Sequence, residues 1–121
     1  MDVNNFVGEV FDAIDNMDAD RFVMCLAADA VFRFGNGPAI TGTEDIGRVI
    51  GQFFRRVKGM RHNVMETIGH GETIICKGKA TYIKTDNSEV TVDFSNVWHM
   101  SPEGKIQVYL SFADLRKVFE A

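Results

Sequence analysis

Val3, Phe6, Val7, Val10, Phe11 and Ile14 recur at helical spacing, which predicts an amphipathic helix over about residues 3 to 16 with a single apolar stripe. Asp18 then suits the N-cap of a short second helix carrying Phe22, Val23 and Leu26. Ala30 to Phe34 is strand-like, and Gly35-Asn36-Gly37-Pro38 stops it. Thr41-Gly42-Thr43-Glu44 has capping-box spacing, and Ile46, Val49, Ile50, Phe53, Phe54 and Val57 behind it form the clearest helical stripe in the chain, with Gly59 placed to end it. From Arg61 onward the pattern becomes that of strands, over about 61 to 68, 72 to 84, 89 to 100 and 105 to 114, with turns at Gly69-His70-Gly71, Asp86-Asn87 and Pro102-Glu103-Gly104.

Long neighbouring strands joined by tight turns predict an antiparallel meander, and helices first with sheet second predict the α+β class, with the helices on one face. Three N-terminal helices in the concave face of a strongly bent sheet form a cone that is hard to fill, so a pocket is expected inside it. The 121 residues suit a single domain over 1–121, with no repeat, linker or low-complexity segment.

Composition changes this picture little. Apolar residues make up 45% and charged residues 25%, the proportions of an ordinary globular domain, and a soluble cytoplasmic protein is the default expectation. No apolar run approaches the roughly 20 residues of a membrane-spanning helix, and Met1-Asp2-Val3-Asn4 lacks a basic leader, so no membrane partner is expected. The net charge of -4, with scattered basic residues, argues against nucleic acid. Arg55, Arg56 and Lys58 form the one basic cluster, explained as a solvated helix end. Cys25 and Cys76 lack metal-ligand spacing and suit small buried thiols. Nothing in the chain resembles a metal cluster, phosphate loop or nucleophile triad, and no cofactor is expected.

The Asp18 turn, Leu26-Ala27-Ala28-Asp29-Ala30-Val31-Phe32, Gly42 before the third helix, and Trp98 with Gly104-Lys105-Ile106 across the last hairpin resemble, in this order, the nuclear transport factor two-like superfamily in its SnoaL-like branch. The resemblance spans essentially the whole chain and implies a cone-shaped, cystatin-like fold. It does not imply one activity, since the superfamily holds isomerases, dehydratases, hydrolases, cyclases and non-catalytic modules. At the positions where ketosteroid isomerases carry their tyrosine, aspartate base and neutral aspartic acid, this chain has Val10, Phe34 and Asn96, so that chemistry is not implied. Ser111 stands where limonene epoxide hydrolases need an aspartate. Asp15 and His62, by contrast, fall where scytalone dehydratases and hexachlorocyclohexane dehydrochlorinases carry an acid-base dyad, although Val10 replaces the dehydrochlorinase lysine.

In that reading a neutral imidazole takes a proton while the carboxylate fixes its tautomer. The competing reading is structural: Asp15 lies roughly 100° from the centre of the apolar stripe by the 3.6-residue period, where it could be a solvated helix-end residue, and a histidine opening a strand is often only a hydrogen bonder. A two-residue Pro102-Glu103 loop would place Phe94, Asn96 and Trp98 on one face with Gln107, Tyr109 and Ser111. The resemblance makes that face the concave one. Together with Phe34 these residues would form a mostly apolar wall with Asn96 and Tyr109 as its main polar groups, suited to a small apolar ligand; core packing is the alternative role for Phe94 and Trp98. Lys77 and Lys79 would share this face under a two-residue Asp86-Asn87 turn, and a bulge would reverse them. His70 and His99 have no evident chemistry. Two functions follow from this wall: a cofactor-free proton transfer or elimination on a small, mostly apolar ligand, or a non-catalytic binding or dimerisation module. On the convex face Ile106, Val108, Leu110 and Phe112 with Val97 would form an apolar strip, from which a homodimer through that face is expected.

Overall fold

The computed structural model describes residues 1–120 and has the expected α+β class, with helices packed on a curved, open sheet. Its elements are α1 (Val3–Asp15), α2 (Ala19–Val23), β1 (Leu26–Phe34), β2 (Ile40–Thr41), α3 (Thr43–Phe54), β3 (Gly59–His70), β4 (Thr73–Ile83), β5 (Glu89–Met100), β6 (Ile106–Ala113) and α4 (Arg116–Phe119). The strand order is β2-β1-β6-β5-β4-β3. No described helix is long and apolar enough to cross a membrane.

The Asp2 side chain caps α1 by accepting from the Asn5 amide, and Val7, Val10, Phe11 and Ala13 are its buried face. Its end is a tight reversal. Met17 takes a left-handed φ of 52°, and the amides of Met17 and Asp18 donate to Ile14 and Ala13, the paired bonds of a Schellman motif built without glycine. Asp18 caps α2 through the Arg21 amide, and Arg21 pairs with Asp12 of α1 at 2.7 Å.

Several expectations are corrected here. Leu26 belongs to β1, which starts four residues earlier than its pattern suggests. Gly42, at φ 91°, takes the N-cap position of α3 with no side-chain cap, so Thr41 and Glu44 form no capping box. That helix stops at Phe54, and Gly59 opens β3 instead of ending the helix. The β3 to β6 meander is antiparallel, but β1 lies beside β6 in parallel. No turn joins those two strands, so no local signal in the chain reports their pairing.

The hairpin registers decide which side chains face the helices. Between β5 and β6 the loop is Pro102-Glu103-Gly104, three residues rather than two: the Ser101 amide donates to the Lys105 carbonyl at 2.7 Å and Gly104 has φ 79°. A bulge follows between His99 and Met100 in the pairing with β6. The two single-residue offsets together preserve side-chain parity, so Trp98 pairs with Tyr109 and Asn96 with Ser111 on the concave side. Ile106 lies before the bulge and is fully buried, which removes it from the convex strip. Between β4 and β5, Asn87 takes φ 72° and Lys84 pairs with Ser88 around a three-residue loop. Lys77 and Lys79 are therefore exposed on the convex side, paired with Glu66 at 3.3 Å and Asp93 at 2.7 Å.

Candidate functional site

Asp15 is the last residue of α1, where a carboxylate faces the negative end of the helix dipole and a cation would be favoured by about 0.3–1 kcal/mol. Its position makes sense through β3. The Asp15 Oδ2 accepts from the His62 backbone amide at 2.9 Å, and its Oδ1 lies 2.6 Å from the His62 ring Nδ1. One carboxylate thus holds both the strand and the ring, and the His62 side chain is only 8% exposed. Phe11 lies against the ring at 4.8 Å between centroids, and Phe94 meets it edge-on at 5.1 Å. With Nδ1–H donated to a carboxylate, Nε2 carries the lone pair. No protein group bonds to Nε2 among the described residues, and His62 lines a cavity.

That cavity has a volume of about 490 Å³, within the usual range for small-molecule sites. Its wall is mostly aromatic: Phe11, Phe22, Phe32, Phe53 and Phe94 among others. The structure brings His62, Phe34, Phe94, Asn96, Tyr109 and Ser111 together on it. Trp98 is not among its lining residues. It is fully buried beneath α1, against Phe6, Phe11 and Tyr109, so the core-packing alternative describes its position. Phe34 is 37% exposed and does not plug the cavity.

Asn96 Nδ2 donates to the Tyr109 hydroxyl at 2.8 Å, and Asn96 Oδ1 has no partner among the described residues. Turning the amide over, with the phenol as donor, would leave the N–H group free instead; either way one amide group is left without a partner among the described residues, at a position shielded from solvent. Burial pushes the Tyr109 phenol well above its ordinary value. Tyr82 was not singled out by the sequence. It too lines the cavity, and burial, reinforced by the Asp15 charge, pushes it up to about 12, so it is a protonated phenol at neutral pH. The signal that locates it is Asn87: a left-handed residue there lengthens the loop and turns Ala80 and Tyr82 inward. Cys76 is a buried thiol pushed up to about 12 by desolvation, and Cys25 is half-buried. No group of His, Cys, Asp and Glu suited to a metal ion occurs among the described residues.

The fold is that of the nuclear transport factor two-like superfamily in its SnoaL-like branch. Residues 7–109 match the SnoaL-like domain, and the chain belongs to that family. Among solved structures it is similar to a nuclear transport factor two-like protein of unknown function from Burkholderia pseudomallei, at 19% identity and TM-score 0.88 over 100% of this chain and 99% of the other. It is also similar to TerC co-crystallized with polyporic acid, at 17% identity and TM-score 0.84 over 98% of each chain. A third is a putative SnoaL-like polyketide cyclase from Shewanella denitrificans, at 11% identity and TM-score 0.81 over 93% of this chain and 90% of the other. At such identities these likenesses establish the fold. No curated protein matches the chain.

Proposed function

We propose that this protein catalyses a cofactor-free proton transfer or elimination on a small, mostly apolar ligand, with His62 as base and Asp15 as the residue that orients it. The observation that carries this reading is the 2.6 Å His62–Asp15 contact on a side chain lining the 490 Å³ cavity. A donated Nδ1–H leaves Nε2 as the acceptor for a substrate proton, and the carboxylate stabilises the imidazolium that forms. Asn96, and the phenols of Tyr82 and Tyr109, are the polar groups for holding a substrate oxygen. The aromatic wall suits a flat ligand, and TerC with polyporic acid gives a precedent for ligand binding in a similar fold.

Carbon-acid exchange provides the test, because it needs no knowledge of the natural product. A panel of cyclic aryl ketones headed by 2-tetralone, incubated in D2O, should lose carbon-bound hydrogen at least about 10²-fold faster with protein than without. His62→Gln should bring the rate close to background. Equal rates for the parent protein and His62→Gln across the panel would leave the cavity as a non-catalytic binding site, the second reading. That alternative is supported by how little of the wall is polar.

The assembly proposed is a twofold homodimer through the convex sheet face. Ile68, Ile75, Val97 and Leu110 lie in one cross-strand row there, with Val108 and Phe112 beside them. The tail after β6 does not cover this row: Leu115 and Phe119 line the cavity on the other side of the sheet, and Val118 is buried. Light scattering at micromolar concentration should give twice the 13.5 kDa chain mass, and Ile75→Lys should halve it. A 13.5 kDa species for the parent protein would end this proposal.

A further inference from the structure

Among the residues that line the cavity, Arg56 alone carries a permanent charge. It follows the end of α3 as an exposed residue, in keeping with the solvated helix end the sequence suggests, and its guanidinium carbon lies 3.9 Å from the centre of the Phe119 ring. Phe119 in turn meets Phe53 edge-on at 5.8 Å, and the Lys84 ammonium holds α4 by donating to the Lys117 and Glu120 carbonyls at 3.1 and 2.9 Å. The guanidinium is therefore placed by stacking, and no ion pair among the described residues uses it. Stacked on Phe119 beside an apolar wall, the guanidinium has its fork of donors left for something else.

We infer that the ligand of this cavity is an aromatic acid whose carboxylate is received by Arg56, while its apolar body lies along the phenylalanine wall. The inference rests on reading the cavity as a ligand site, and it adds the class of ligand. A carboxylate matches the planar guanidinium with two parallel N–H···O bonds, and a neutral amide of the same shape cannot supply that charge. A ring stacked on one face of the guanidinium leaves its edge donors available, so binding the acid need not displace Phe119.

A matched pair of probes tests this, biphenyl-4-carboxylate and biphenyl-4-carboxamide, each competing with the neutral fluorescent dye N-phenyl-1-naphthylamine. The parent protein should bind the dye, and Ala113→Trp, which fills the cavity, should abolish that binding. The carboxylate should displace the dye at roughly tenfold lower concentration than the amide. Arg56→Gln should weaken the carboxylate about tenfold and leave the amide and dye within about twofold. Equal affinity for acid and amide in the parent protein would overturn the inference. So would an equal loss of both in Arg56→Gln, since Arg56 would then act only by holding Phe119. In both cases dye binding that is sensitive to Ala113→Trp would leave the cavity standing as a ligand site. No binding by the dye or either probe, or dye binding indifferent to Ala113→Trp, would remove the site and the inference together.

Discussion

Gly78→Ala is expected to destabilise the protein by about 3 kcal/mol or more, enough to remove much of the stability of a domain this size. A Cβ built on Gly78 would stand 1.9 Å from the Asn63 carbonyl oxygen and 2.9 Å from the Met65 amide nitrogen. These are backbone atoms of β3, beside the bulge where pairing with β4 shifts between Val64 and Glu66. No rotamer change can relieve the clash, so β3 would have to move away from β4 at the point where the bulge bends it. His62 is one residue from Asn63, and the same movement would carry it from Asp15. Gly8→Ala is the matched control: Gly8 lies within α1, its Cβ would meet nothing within 4 Å, and alanine there should stabilise by about 1 kcal/mol. Urea unfolding of the two variants checks both signs. A Gly78→Ala midpoint close to that of the parent protein would show that the close approach is not maintained in solution.

Gly78 also illustrates what the sequence could convey. The apolar stripes of α1 and α3 and the alternation of the long strands are local, and they located most of the elements and the class of fold. Contacts between elements are another matter. Nothing near Gly78 announces that a carbonyl fifteen residues away in the chain lies against it, and nothing in Leu26–Phe34 announces a parallel partner in β6. The concave wall was partly legible because parity survived two compensating offsets at the last hairpin, whereas Tyr82 and the fate of Lys77 and Lys79 depended on the length of one loop, at Asn87. Asp15 and His62 were legible as a pair through family resemblance; their contact depends on the Met17 reversal and the start of β3, which periodicity does not report. Arg56 was legible as a charge and not as part of a wall, because its neighbour Phe119 comes from the far end of the chain.

Asp15→Asn should reverse the tautomer of His62 with little loss of stability. In the parent protein the carboxylate accepts two hydrogen bonds, from the His62 amide at 2.9 Å and from the ring at 2.6 Å. An asparagine of the same shape has one oxygen to accept from the backbone amide, and its NH2 group then faces Nδ1. Two facing donors would be costly, but a neutral imidazole can avoid this by moving its proton: Nδ1 accepts from the new amide and Nε2 becomes the N–H. The hydrogen-bond count is preserved, and the unfolding free energy should stay within about 1.5 kcal/mol of the parent value. Chemistry at Nε2 is not preserved, since an N–H cannot accept a substrate proton, and exchange of the ketone panel should fall roughly 10²–10⁴-fold. Nitrogen-15 shifts of the neutral His62 ring, reached by raising the pH until they stop changing, should show a protonated Nδ1 in the parent protein and a protonated Nε2 in Asp15→Asn. Retention of the Nδ1–H form together with full exchange activity would mean that Asp15 does not set the tautomer. A switched tautomer with unchanged exchange would mean that His62 is not the base, and the proton-transfer reading would fall with it.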